Sequence, residues 1–259
     1  MTFPNLKGKH AEDAMFTPQE FLAYQKKIGK HPKFKPPAAV IFCYANDAIN
    51  YFLKNYKARK VEGFIGDMYL LDGTEGRIGI IGNFGIGAPV AAALLEELIA
   101  FGVKKFITVG TAGTLQKHVR IGSIVVCERA IRDEGTSYHY LKHSKYAYAS
   151  KKLTEKIKKA LERLGQKYFS GTSWTIDAPY RETVAEARQY QREGVIAVEM
   201  EAAALFAVAK YRAVELGAIF AISDSLAELQ WKPKFHSKKL KKSLEAICKI
   251  ALDVLLDER

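Results

Sequence analysis

The chain has 259 residues, 48% of them apolar and 26% charged, which supports a sizeable core and excludes a disordered or low-complexity chain. No apolar run approaches the ~18–20 residues of a membrane helix, and MTFPNLKGKHAED lacks the apolar core of a secretory signal, so a cytoplasmic protein without a membrane partner is expected. The net charge of +12 suits anionic partners, but no zinc finger, RNA-recognition signature or arginine-rich arm accompanies it, and no specific nucleic-acid partner is expected.

In chain order, TPQE (Thr17–Glu20) reads as a capping box with Pro at the first helical position, opening a helix that stops near Gly29. KHPKFKPP (Lys30–Pro37) is a stiff basic connector, so residues 1–37 read as an N-terminal helix and connector ahead of one α/β domain over 38–259. The pattern then alternates. AAVIFCY is a short buried strand, NDAINYFLKNY a helix, and Gly63–Leu71 and Arg77–Gly82 are strands. APVAAALLEELIAFG is a helix ending at Gly102, KKFITVG a strand, and IGSIVVCE a strand followed by a loop through Tyr146. A helix near Ser150–Leu164 leads to the strand KYFSGTSW, the helix YRETVAEARQYQRE and the short strand VIAV. EMEAAALFAVAKYR is helical and GAIFAISD a strand. The Lys-rich WKPKFHSKKLKKSLEA reads as the solvated face of a last helix to about Leu256, with Leu240, Leu244, Ile247, Ala251 and Leu255 as its apolar stripe.

Strands alternating with helices predict a largely parallel sheet, and ligands of such sheets bind at the carboxyl ends of the strands. Polar residues concentrate there, in GNFGIGAP, VGTAGTL, WTIDAPY, VEMEAA and ISDS. GNFGIGAP opens a helix whose N–H groups suit an anion or sugar hydroxyls, although a tight turn explains its glycines equally well. Thr111 and the amides of VGTAGT suit an oxyanion nest. Glu199 and Glu201, read on a helix, point to opposite sides and so do two separate jobs; the alternative is that both favour the helix N-terminus. Asp224 closes an apolar strand beside Ser223, where a carboxylate suits a general acid, with an N-cap as the plain alternative. Cys43, Cys127 and Cys248 form no CxxC pair and the six histidines no ligand cluster, so neither disulfides nor a metal are expected.

In this order GFIG, GIGAP, VGTAG, DEGTSYHYL, DAPY, VEMEAAAL and ISD resemble the nucleoside phosphorylase and nucleosidase superfamily, over about Ala38 to Leu229. The resemblance implies a three-layer α/β domain with a twisted mixed β-sheet flanked by helices, assembled as a homo-oligomer with active sites shared between subunits. It places the ribose on Met200 and Glu201, with Glu199 beside them, and the acid that protonates a leaving purine on Asp224 with Ser223. Pyrimidine-specific relatives carry an apolar residue there, which favours purines. Phosphate falls to Thr111, Gly110 and Arg59, and the base to Tyr180 and Gly113. Arg59 is contributed by a neighbouring subunit, and His31 matches a histidine that reaches a neighbour's 5′-hydroxyl, an ordinary exposed histidine being the alternative. Two further phosphate-binding arginines are replaced by Ala48 and Thr108, and the aromatic that stacks on the base before Tyr180 is Pro179. The expected activity is phosphorolysis of a purine-preferring kind, with nucleoside and inorganic phosphate as substrates and no cofactor. The runner-up is a nucleosidase using water, with Asp47 one residue from that branch's carboxylate. A uridine phosphorylase or a catalytically silent nucleoside binder stands behind both.

Overall fold

The computed structural model describes residues 4–6 and 8–257; residues 1–3 and 7, part of the terminus read against a secretory signal, lie outside them, as do 258 and 259. No helix among the described residues is long and apolar enough to cross a membrane.

Helix α1 (Pro18–Lys27) begins where the capping box predicts: Glu20 N–H donates to Thr17 Oγ1 and Glu20 Oε2 accepts from Thr17 N–H. Strand β1 (Ala39–Cys43) and helix α2 (Asn46–Asn55) follow the connector. The strand expected over Gly63–Leu71 is confined to β3 (Asp67–Leu71), because Gly63 and Gly66 turn the chain ahead of it, and it pairs antiparallel with β2 (Ala58–Val61), which the sequence reading lacks. Next come β4 (Ile78–Gly82), α3 (Ala88–Phe101) and β5 (Lys105–Thr114). β6 (Ile124–Asp133) runs further than the sequence suggests, and the expected loop after it carries β7 (Tyr146–Tyr148), held antiparallel on β6. Then follow α4 (Lys151–Arg163), β8 (Tyr168–Ile176), α5 (Val184–Arg192), β9 (Ala197–Glu199), α6 (Ala202–Tyr211), β10 (Glu215–Ser225), the two-residue β11 (Lys232–Pro233) and α7 (Lys238–Leu256). Helix α5 starts four residues later than expected of YRETV, since Thr183 and Glu186 form a second capping box behind a 3-10 turn at Pro179–Arg181.

Among the described residues one mixed sheet takes all eleven strands, as the resemblance implies; the largely parallel sheet expected from the alternation is corrected, since six of the eleven strand pairings are antiparallel where hairpins and sheet returns intervene. β10 bonds both β5 and β6, and β8 and β9 lead back to β5, so these five strands close on themselves. β1, β4, β3 and β2 extend the sheet from β5. Two cores lie on its faces. α3 and α6 cover one; α2, α4 and α7 cover the other, with Leu240, Leu244, Ile247, Ala251 and Leu255 all buried. The alanines of α6 are buried over Ala202–Ala209, which lets the helix lie close against α3. At its far end both Glu96 oxygens accept from Arg212, at 2.7 and 3.0 Å, a bidentate bond that ties α6 to α3. The starts of these two helices therefore face the same place.

Candidate active site

That place is a cavity of about 840 Å³ at the carboxyl end of β5 and β10. The fold opens it at a definite gap. β5 keeps β10 on one edge throughout, but on the other β1 ends opposite Val109 and β9 begins opposite Gly113. Gly110, Thr111 and Ala112 thus present an edge with no neighbouring strand, and all three line the cavity. This corrects the expectation of a loop nest: VGTAGT is strand, and its polar edge is exposed by where its neighbours stop.

VEMEAA is corrected too. Glu199 ends strand β9 and α6 starts only at Ala202, because Glu199 Oε2 accepts from the N–H groups of Glu201 and Ala202 at 2.8 and 2.7 Å and pins the turn. Its other oxygen accepts from Ser173 and Thr175. Burial pushes this carboxyl up against those donors. Glu199 thus holds the helix start. Glu201 is 8% exposed, and its Oε1 accepts from Gly87 N–H at 2.6 Å. Gly87 has φ 102°, a conformation that suits glycine, and it caps α3. The helix N-terminus read as an anion site thus faces the protein's own carboxylate. Burial, and then the charge of Glu199, push the Glu201 carboxyl up to about 8.

Across the cavity Asp224 Oδ1 accepts from Ser223 Oγ at 2.7 Å. Gly113 leaves room for it: a Cβ there would stand 2.9 Å from Asp224 Oδ2. Met200 lines the same cavity, and Tyr180 stands at its mouth, 99% exposed. One space therefore gathers Gly110, Thr111, Gly113, Tyr180, Glu199, Met200, Glu201, Ser223 and Asp224. His31 and Arg59 are elsewhere in the subunit, in a second cavity under α1 and the β2–β3 hairpin that also carries Lys30, Lys33 and Lys60. The two positions read as lost arginines are closed. Ala48 is buried in the core, and Thr108 lies buried beside the Tyr44 hydroxyl, neither oxygen in a well-formed hydrogen bond. Burial and then Glu201 push the Tyr44 phenol well above its usual range, so it stays neutral.

Three lining residues escape the sequence reading. Tyr44 fills the end of the cavity beside Gly110, packed on Phe84 with ring centroids 5.1 Å apart. Glu182 faces Asp224, and burial, followed by that charge, pushes it up to about 7. Trp231 donates its indole N–H to Asp224 Oδ2 at 3.0 Å. Its signal was a tryptophan inside a lysine run. Among the described residues the ionisable lining is one-sided: four carboxyl groups, from Glu182, Glu199, Glu201 and Asp224, and no Lys, Arg or His.

Among curated proteins, the chain is similar to a guanosine phosphorylase of Halorubrum lacusprofundi, 33% identical over 55% of this chain and 59% of that one. It also resembles a uridine phosphorylase of Thermococcus kodakarensis, 32% identical over 53% of this chain and 54% of that one. The match thus spans little more than half the length of these two. A DeoD-type purine nucleoside phosphorylase of Caldanaerobacter subterraneus is 31% identical over 69% of this chain and 76% of its own. The crystal structure of uridine phosphorylase from Vibrio fischeri superposes with a TM-score of 0.74 at 27% identity, covering 87% of this chain and 94% of that one. Because residues 46–256 match the model of the phosphorylase superfamily, on a fold shared with a uridine phosphorylase, the chain belongs to that superfamily.

Proposed function

We propose that the chain cleaves the N-glycosidic bond of a purine nucleoside by phosphorolysis, giving free base and ribose-1-phosphate without a cofactor. The observation that carries this is the pairing, in one cavity, of a carboxylate beside Met200 with a second carboxylate beside Ser223. Glu201 accepts from the ribose hydroxyls and favours the positive charge that develops on the sugar as the base departs. Asp224 delivers a proton to the purine ring nitrogen, so that the base leaves neutral. Thr111 and Gly110 receive the nucleophile on the face away from the base. Relatives named for guanosine, purine and uridine leave the base open, and Asp224 is what favours a purine, since uracil offers no such nitrogen.

A phosphate dianion needs cationic donors, and the lining has none. In this reading Arg59 of the partner subunit supplies the charge, with His31 beside the 5′-hydroxyl, in a homo-oligomer whose sites are shared. The apolar and basic surface around Arg59, including Phe21, Phe34, Phe64 and Ile65, supports such an interface. Arg59→Ala is then expected to raise the KM for phosphate ten-fold or more. At phosphate well below the variant's KM, co-expressing Arg59→Ala with Asp224→Asn is expected to give more activity than either variant alone, because mixed oligomers contain one intact site. A lack of complementation would argue that Arg59 serves its own subunit or none.

The cation-free lining favours one second reading, hydrolysis, in which water replaces phosphate. A panel of purine and pyrimidine nucleosides assayed with and without phosphate separates the two. Phosphorolysis predicts purine release that depends on phosphate and yields ribose-1-phosphate. Free ribose at an unchanged rate without phosphate would establish hydrolysis instead.

A further inference from the structure

The strap of residues 226–237, between β10 and α7, has no part in the mechanism above. It leaves the sheet at Ser225, turns with Leu229 N–H bonded to Leu226 O, and is tied by an ion pair between Lys232 and Glu228. It then returns as β11, with Lys232 and Pro233 paired to Ser225 and Asp224. That register sets Trp231 at the mouth of the cavity opposite the acid. Its indole is 63% exposed, yet its N–H reaches the buried Asp224 Oδ2, and the Phe235 ring lies 6.2 Å from it.

Both oxygens of Asp224 are therefore engaged, Oδ1 by Ser223 and Oδ2 by Trp231. Ser223 is fixed: it is 1% exposed within β10. Trp231 stands on the strap, 63% exposed, and its side chain is held by the N–H bond to Asp224 and the Phe235 ring, while Lys232, Pro233 and Lys234 tie the backbone beyond it to β10. A purine nitrogen that approaches the Oδ2 side of the carboxyl from the cavity competes for space with the indole, and of the two donors the indole is the movable one. Of the other aromatic residues that line the cavity, Phe220 is buried within β10 and Phe235 lies against Trp231 on the same strap. Pro179 stands where an aromatic is expected, Tyr180 points into solvent, and Tyr44 is wedged against Phe84 at the Gly110 end.

We propose that Trp231 is the residue that receives the base: a purine ring nitrogen takes the place of the indole N–H on Asp224, and the displaced indole, still tethered by β11, stacks on the purine face. This rests on the reading of Asp224 as the acid facing a purine. Stacking on an aromatic is worth enough to change affinity by about ten-fold or more.

Intrinsic fluorescence tests it directly, since the chain has two tryptophans and Trp174 is wholly buried with its N–H on Asp133. Titrating the wild-type protein with free hypoxanthine is expected to quench and shift the emission, and Trp231→Phe is expected to lose that response. In steady-state assays Trp231→Ala is expected to raise the KM for a purine nucleoside about ten-fold or more, with a smaller change in kcat. Trp231→Phe, which keeps an aromatic face but no N–H, is expected to recover most of the loss. A wild-type enzyme that turns over purine nucleosides while its emission ignores hypoxanthine overturns the assignment alone. So does Trp231→Ala with a wild-type KM. A wild-type protein that neither binds hypoxanthine nor releases any purine overturns the underlying reading and this assignment together.

Discussion

Asp224→Asn is expected to lower kcat on a purine nucleoside by about 10²–10⁴-fold, the range typical of a lost general acid. The substitution is nearly isosteric, and Asn still offers an oxygen to Ser223 or Trp231, the two donors that hold the carboxylate. What it cannot do is give up a proton to the departing base. The nucleoside itself supplies the control. An N7-methylated purine nucleoside already carries positive charge on the leaving base and needs no acid. Asp224→Asn is therefore expected to lose little on this substrate while losing most of its rate on the unmethylated one. An equal loss on both would mean that Asp224 positions the base or the strap and transfers no proton.

The alternation of strands and helices was legible because apolar runs and glycine stops mark each element, and so was the α7 stripe at helical spacing. Element ends were less so. β7 is three residues long and exists only because β6 offers it an edge, which no local pattern announces. Glu199 was misread as helical because EMEAAAL has helical composition; the boundary is set by a side chain bonding two backbone amides ahead of it. The candidate site was legible where function demands a residue type after an apolar run, as at Thr111, Glu201 and Asp224. It was illegible where a residue acts through tertiary return. Trp231 reaches Asp224 by two residues of strand pairing, and Tyr44 is held in place by Phe84, in the loop between β4 and α3. That Arg59 and His31 line a cavity apart from the carboxylates of their own subunit was implied by the resemblance alone, since sequence order does not say which residues share a cavity.

Glu201→Gln is expected to separate activity from stability. The activity should fall about a hundred-fold, since the amide keeps an acceptor for the ribose but not the charge that favours the cationic sugar. Stability should move the other way. The Glu201 carboxyl sits near 8 in the folded protein, raised first by burial and then by Glu199, against about 4.5 for an unperturbed glutamate. Between these values the folded chain holds a proton that the unfolded chain has lost, so stability declines as pH rises from about 4.5 through about 8. Below that window both states are protonated and Glu201 contributes nothing; above it the full cost, on the order of a few kcal/mol, is present. Thermal unfolding of Glu201→Gln should accordingly show a higher Tm than the wild type at pH 8.5 and little difference near pH 5. Glu182, pushed up to about 7, contributes a slope of the same sign, so the variant flattens the profile without abolishing it. Nucleoside binding draws on the same proton. Ribose hydroxyls donate to the ionised carboxylate, so the wild-type KM for nucleoside should rise as pH falls from 8 to 6, and the Gln variant should lose that dependence. A wild-type Tm profile unchanged by the substitution would mean that Glu201 is already ionised in the folded protein. The buried negative charge would then be balanced by a donor beyond Gly87.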